Sequence, residues 1–151
     1  MKRWGFWLVL IVGLGLAGCA LSSAGKGSAA NVHAELSARL EEVRAAQNTA
    51  LTLWDRVIAG ETVSCEETIP VPAPVTLSER QRSAYPTGVL IADTLNEAIG
   101  HIRDSADLWA IECADVRSVV PLDMARAGRT AAQAATAPLD RATILLAAGT
   151  P

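Results

Sequence analysis

The sequence predicts an all-α fold, a small bundle of three main helices with a proline-rich crossover segment. Apolar residues recur at spacings of three and four over three long stretches, within residues 31–60, 76–116 and 121–146. No stretch of useful length alternates apolar and polar residues as a half-buried strand does. The one extended candidate, TIPVPAPV, contains three prolines, which exclude a central strand and favour polyproline geometry.

The first helix is predicted from Asn31, as its N-cap, to Gly60, which would end it in the left-handed conformation. Its apolar face is interrupted only at Gln47, and charged side chains such as Glu41 and Arg44 occupy the other faces. This pattern is typical of an amphipathic helix packed on a core. The apolar positions are Leu36, Leu40, Val43, Ala50, Leu51, Trp54, Val57 and Ile58.

The second helix is predicted to begin with a capping box formed by Thr76 and Glu79 and to continue to about Asp115. Pro86 disfavours helical geometry at Tyr85 and removes a backbone donor, so we expect a kink or break near it. The apolar positions are Leu77, Ala84, Ile91, Leu95, Ala98, Ile102, Trp109, Cys113 and Val116.

The third helix is predicted to start with Pro121 as its first helical residue, with a break at Pro138. Alanine dominates its apolar face, which indicates close approach to the neighbouring helices. The apolar positions are Leu122, Ala125, Ala132, Ala135, Leu139, Ala142, Leu145 and Leu146.

The amino-terminal residues predict export. Lys2 and Arg3 precede an uncharged run over residues 5–17. At about 1.5 Å per helical residue this run covers roughly 20 Å, less than the ~30 Å hydrocarbon core of a bilayer. A basic start, a short apolar run and small residues are typical of a secretory signal rather than of a membrane span.

Leu16, Ala17, Gly18 and Cys19 end this run as a branched apolar residue, two small residues and a cysteine. The segment resembles the lipobox of bacterial lipoproteins, over residues 1–20 only. That resemblance implies cleavage before Cys19, a diacylglyceryl group on its sulfur and often a further acyl chain on the new amino terminus. Two or three fatty acyl chains hold a protein stably on a membrane, whereas one holds it marginally. An ordinary signal peptide with a chance cysteine is the alternative.

The same resemblance bears on location. In Gram-negative lipoproteins an aspartate after the cysteine typically retains the protein at the inner membrane, so Ala20 favours the periplasmic face of the outer membrane. In another envelope type the outer face of the cytoplasmic membrane is expected. Residues 1–18 are then the signal peptide, residues 19–31 the lipidated cysteine and a flexible tether rich in Gly, Ser and Ala, and residues 32–151 the bundle domain.

The charge balance restricts the partners. Residues 19–151 hold 11 basic and 16 acidic side chains, a net charge of −5. This excess of acid argues against a nucleic-acid partner and against a polybasic membrane patch. The expected partners are the membrane, through the lipid anchor, and an envelope protein.

Two cysteines remain after Cys19, and in an exported protein Cys65 and Cys113 most simply form a disulfide. Two unrelated buried thiols are the alternative. A disulfide requires Cα atoms within roughly 7 Å, yet residues 87–113 span about 39 Å of helix. Residues 65–76 (CEETIPVPAPVT, here the strap) cover about 34 Å at polyproline rise. We therefore expect the strap to run back along the bundle, with the second helix parallel to the first and the third antiparallel.

Candidate ligand residues fall in two groups. Asp93, Glu97, His101 and Asp104 share one stripe of the second helix and contain the residue types of a divalent-metal site. The stripe is turned about 200° from the apolar face, so a solvated surface is the favoured interpretation and we expect no metal.

Trp54 and Trp109 form the second group. They could line an aromatic ligand pocket, but tryptophans on an apolar stripe are more often core residues.

The sequence contains no G-x-S-x-G, P-loop, C-x-x-C or haem-attachment motif. We therefore expect a lipoprotein without enzymatic activity or cofactor, whose bundle acts as an interaction or structural module. A periplasmic lipoprotein that binds a small molecule or metal is the alternative. An envelope hydrolase with a diffuse active site ranks third.

Overall fold

The computed structural model describes residues 28–114 and 120–150. Over these residues all regular structure is helical, and one disulfide joins Cys65 to Cys113. The predicted bundle is confirmed, with its second and third helices each broken into two parts. The helices are α1 (Ala29–Ile58), α2 (Glu79–Ala84), α3 (Thr87–Ala114), α4 (Leu122–Ala134) and α5 (Thr136–Ala148).

Helix α1 begins three residues earlier than predicted. The side-chain oxygen of Ser28 accepts the backbone N–H of Asn31 at 3.3 Å, so Ser28 is the N-cap and the prediction of Asn31 is wrong. The predicted end at Gly60 is confirmed, because this residue has φ +80°. The N–H groups of Gly60 and Glu61 donate to the carbonyls of Val57 and Arg56, both at 3.0 Å, and so satisfy the end of the helix.

The capping box of α2 lies two residues later than predicted. Ser78 Oγ accepts the N–H of Gln81 at 3.3 Å, and Gln81 Oε1 accepts the N–H of Ser78 at 2.9 Å. The predicted pair of Thr76 and Glu79 is therefore wrong, because Thr76 remains in the extended strap. The break near Pro86 is confirmed: α2 ends at Ala84 and α3 starts after the proline.

The third helix breaks at Ala135, three residues before the predicted position. Pro138 has no N–H to donate to the carbonyl four residues earlier, which accounts for the interruption there. Gln47 of α1 hydrogen-bonds both sides of this interruption: its Nε2 donates to Ala132 O at 3.1 Å and to Thr136 Oγ1 at 2.8 Å. At the start of this helix Pro121 is the N-cap, not the first helical residue as predicted.

Helices α1 and α3 run parallel, as predicted. Near the end of α1, the Trp54 indole N–H donates to Ser105 Oγ, in the second half of α3, at 2.9 Å. Near the start of α1, Glu35 accepts a hydrogen bond from Gln81 of α2 at 2.9 Å.

Helices α4 and α5 run antiparallel to α1. His33, near the start of α1, donates through Nε2 to Leu146 O, near the end of α5, at 3.1 Å. Asp55, near the end of α1, pairs with Arg129 of α4 at 2.5 Å. We call the end of the bundle where α1 and α3 begin the N-terminal end, and the opposite end, which holds Cys65 and Cys113, the disulfide end.

The strap connects the two ends through the groove between α1 and α3. Near the disulfide end the Trp109 indole N–H donates to Glu67 O at 2.7 Å. Further along, the Asn96 amide pairs with both backbone groups of Val75, accepting its N–H at 2.7 Å and donating to its carbonyl at 2.9 Å. The strap itself buries the side chains of Ile69 and Val75 against the bundle. The predicted crossover is thus confirmed.

Within residues 28–114 and 120–150, no helix combines the length and apolar character that crossing a bilayer requires.

Candidate functional site

Trp54 lies at the centre of the disulfide end. Its side chain is fully buried, and its only polar atom is satisfied by Ser105. Helix α4 lies directly against the indole, because a Cβ added at Gly128 would come within 2.2 Å of two ring carbons. A ligand cannot reach this ring without displacing α4, so Trp54 is a core residue.

Trp109 packs edge-on against Trp54, with the ring centroids 5.5 Å apart and the planes at 90°. It is 5% exposed, and its N–H is taken by the strap. Two open clefts lie beside it, one of about 180 Å³ and one of about 330 Å³ that the disulfide, Glu67 and Ile69 also line. The smaller cleft is lined by Val57, Gly60, Glu61, Thr62, Val63, Trp109 and Val120. Both tryptophans are thus packed in the core, and the edge of Trp109 in addition borders the two clefts.

The disulfide joins the first residue of the strap to the last turn of α3. The Cα atoms of Cys65 and Cys113 are 5.5 Å apart, Cys65 is exposed and Cys113 is half-buried. Disulfides persist in oxidising compartments, so this one indicates an extracytoplasmic protein.

An ion-pair cluster secures the same part of the strap. Arg56 contacts both carboxylate oxygens of Glu67, at 2.6 and 3.1 Å, and its Nε contacts Glu61 at 3.2 Å. The hydrogen bonds from Arg56 hold the pKa of Glu67 below its ordinary value, and the bonds to Glu67 and Glu61 raise the pKa of Arg56. These groups are solvent-accessible, so the cluster positions the strap more than it stabilises the fold.

The polar stripe of α3 does not form a metal site. Asp93, Glu97 and Asp104 are exposed and His101 is half-buried. Glu97 faces Arg141 of α5 at 3.4 Å, which makes it part of an interhelical ion pair. Within the described ranges, no three side chains among His, Cys, Asp and Glu are close enough to share a metal ion.

The second histidine has a structural position at the N-terminal end. Besides donating to Leu146 O, the His33 ring lies edge-on to Tyr85, with the centroids 6.0 Å apart. The Tyr85 hydroxyl donates to Gly149 O at 2.8 Å, and burial raises the pKa of this phenol. The two rings therefore attach the end of α5 to the start of α1 and to the junction between α2 and α3.

Sequence reasoning did not identify the polar residues that organise this bundle. Gln47, Asn96 and Ser105 each place a polar side chain on or beside an apolar face and hydrogen-bond another element. The signal was present in one case, because Gln47 interrupts an otherwise apolar stripe. The hydrogen-bond partners of these three side chains are distant in sequence, so the spacing of apolar residues could not predict them.

Large apolar side chains are also exposed at both ends of the bundle. Ile111 and Leu122, at the disulfide end, are 58% and 48% exposed. Leu90 and Ile144, nearer the N-terminal end, are 53% and 68% exposed. Such side chains become candidates for contacts with other molecules where they adjoin one another on the surface.

The predicted lipidation residues, Leu16, Ala17, Gly18 and Cys19, lie outside the described residues. Comparison of the chain with family models, curated proteins and solved structures found no match.

Proposed function

We propose that this protein is a membrane-anchored lipoprotein of the cell envelope whose helical bundle acts without catalysis, as an interaction module. The observation that carries the proposal is the Cys65–Cys113 disulfide in a chain whose residues 16–19 match a lipobox. The two features are independent of each other, and both fit an exported protein.

The chemistry of the disulfide end supports binding rather than catalysis. The polar atoms of both tryptophans are used to hold α3 and the strap, and Glu67 is held by Arg56. Among the described residues of this end, Ile111 and Leu122 leave large apolar side chains exposed for an external contact. Aliphatic side chains of this kind recognise an apolar patch on another protein.

The length of the bundle supports a contact at this end. Helix α1 extends about 44 Å from Ala29 to Ile58. The bundle can therefore bind a partner at Ile111 and Leu122 well away from the membrane that holds its amino terminus.

Membrane attachment is tested by fractionating cells that make the Cys19→Ala variant. The account predicts that the variant leaves the membrane fraction and keeps its Cys65–Cys113 disulfide, while the unaltered protein stays with the membrane. A Cys19→Ala protein that remains in the membrane fraction and is processed as before would refute the anchor.

The interaction role is tested by crosslinking in intact cells. The Ile111→Ser/Leu122→Ser variant should lose a discrete crosslinked species that the Leu90→Ser/Ile144→Ser variant retains, because only the first pair alters the disulfide end. If neither pair changes the crosslinked species, the disulfide end is not the contact surface.

A further inference from the structure

The exposed apolar residues nearer the N-terminal end have a defined arrangement. Glu97 of α3 and Arg141 of α5 face each other at 3.4 Å and fix the register between the two helices. Leu90 lies two turns before Glu97 on the same face of α3, about 10.5 Å nearer the N-terminal end. Because α5 is antiparallel, Ile144 and Ala148, one and two turns after Arg141, extend towards that same end.

These three side chains form what we call the apolar strip: Leu90, Ile144 and Ala148. All three are exposed, and Ile144 is the most exposed large apolar side chain of the described residues, at 68%. The Glu97–Arg141 ion pair bounds the strip on the side facing the disulfide end. Aliphatic side chains over two turns with charged groups at one edge resemble the apolar face of an interfacial helix.

The strip lies beside the attachment point of the amino-terminal chain. His33, five residues after Ser28, donates to Leu146 O, which lies between Ile144 and Ala148 in α5. Nine residue steps separate Cys19 from Ser28, a length of at most about 30 Å when fully extended and about 16 Å as a flexible chain. Ile111 lies about 32 Å along α3 from Leu90. An anchor at Cys19 therefore holds the strip near the bilayer and leaves the disulfide end further away.

The charges around the strip do not call for an anionic lipid. Arg141 is already paired with Glu97, and the exposed carboxylates of Asp93 and Asp140 lie one turn from Leu90 and Ile144. Residues 19–151 as a whole are acidic, with a net charge of −5. Contact with a bilayer at this site would come from aliphatic side chains entering the boundary between headgroups and acyl chains.

We infer that the apolar strip is a membrane-contacting surface, on which the anchored bundle rests tilted with its α3–α5 side towards the lipid. This inference rests on the proposed lipid anchor. It adds a second, non-covalent contact that sets the tilt of the bundle, so that the disulfide end, with Ile111 and Leu122, lies further from the bilayer than the strip does.

The test uses the full processed protein in phosphatidylcholine vesicles that contain a lipid with a photoactivatable diazirine in its acyl chain. After illumination, mass spectrometry locates the labelled peptides. We expect labels in the first turns of α3 and the last turns of α5. Their yield should fall about fivefold in Leu90→Ser/Ile144→Ser, since hydroxyl groups disfavour insertion. The matched Ile111→Ser/Leu122→Ser variant should be labelled as strongly as the unaltered protein. An unchanged thermal unfolding temperature checks that both double variants are folded.

The outcomes separate the two proposals. If the Cys19 peptide carries lipid but the bundle is unlabelled, or is labelled equally at both ends, the strip is not a membrane surface and the anchor stands. If the unaltered protein sediments as a dimer in detergent, Leu90→Ser/Ile144→Ser makes it monomeric and the bundle stays unlabelled, a self-association surface replaces the membrane surface. If the Cys19 peptide carries no lipid, the anchor fails and this inference fails with it.

Discussion

At the residue scale, Gly128 shows how tightly the bundle closes on Trp54. Glycine inside a helix normally costs up to about 1 kcal/mol relative to alanine. Here it permits α4 to lie directly on the indole, since a Cβ would come within 2.2 Å of the ring. The alanine-rich faces of α4 and α5 allow the same close approach along the rest of the interface, as their sequence predicted.

We predict that Gly128→Ala lowers the free energy of unfolding by about 1–3 kcal/mol, because α4 or Trp54 must shift to admit the methyl group. Urea denaturation measures the change. Gly100→Ala is the matched control, since it also lies inside a long helix but its Cβ would meet nothing within 4 Å. That substitution should be neutral or stabilise by up to about 1 kcal/mol. Equal effects of the two substitutions would refute the close contact at Trp54.

A second residue-scale prediction concerns the buried Tyr85 hydroxyl. Tyr85→Phe removes its hydrogen bond to Gly149 O and should cost about 1 kcal/mol at neutral pH. Burial raises the pKa of Tyr85 above its ordinary value of 10.0, so the folded state favours the protonated phenol. That contribution is complete below pH 10 and is lost as the pH rises through the higher folded-state pKa. The stability difference between wild type and Tyr85→Phe should therefore shrink above pH 10 in urea titrations, and a constant difference would contradict it.

At the element scale, the strap determines the topology. Its three prolines remove backbone donors, so it cannot join a sheet and instead depends on side chains from the helices on either side. Arg39 of α1 donates to Ala73 O, and the Asn96 amide of α3 pairs with Val75. The strap thereby covers the groove between two parallel helices. In an ordinary helical hairpin the two successive helices would be antiparallel.

Replacing Asn96 tests this attachment. Asn96→Ala removes two hydrogen bonds and leaves the buried backbone of Val75 unsatisfied, which should destabilise the protein by about 1–3 kcal/mol. The exposed Asn48 of α1 provides the control, and its replacement by alanine should change stability by less than about 0.5 kcal/mol. Amide hydrogen exchange should also accelerate at Val75 in Asn96→Ala. Unchanged exchange there would show that the amide does not hold the strap.

Removing the disulfide tests the other attachment. Cys65 and Cys113 are 48 residues apart, and closing such a loop contributes about 4 kcal/mol by the chain-entropy relation. The Cys65→Ser/Cys113→Ser variant should lose that amount in urea denaturation. Dithiothreitol should lower the stability of the wild type equally and leave the variant unaffected. A loss below about 1 kcal/mol would show that the strap is held without the disulfide.

The sequence predicted the strap because two distances had to agree: the length of helix before Cys113 and the reach of residues 65–76. It predicted the break near Pro86 from the chemistry of proline alone. The N-cap of α1 was missed because Ser28 and Asn31 are both good capping residues, and the apolar spacing does not distinguish them. The roles of Gln47 and Asn96 were missed because their partners are backbone groups of distant elements, whose identity follows only from packing.

At the scale of the whole molecule, the two ends of the bundle differ. The disulfide end contains the tryptophan pair and the exposed Ile111 and Leu122. The N-terminal end receives the chain from Cys19 and carries the apolar strip. The proposed amino-terminal anchor would give this difference a function, because it would place one end near the lipid and leave the other for a partner.

Intact-mass spectrometry of the protein purified from the membrane fraction tests the central claim, that the chain is exported and lipid-anchored at Cys19. The account predicts the mass of residues 19–151, less two hydrogens for the Cys65–Cys113 disulfide, plus a diacylglyceryl group with or without a further acyl chain. An unmodified mass beginning at Met1, or a processed chain without lipid, would contradict it.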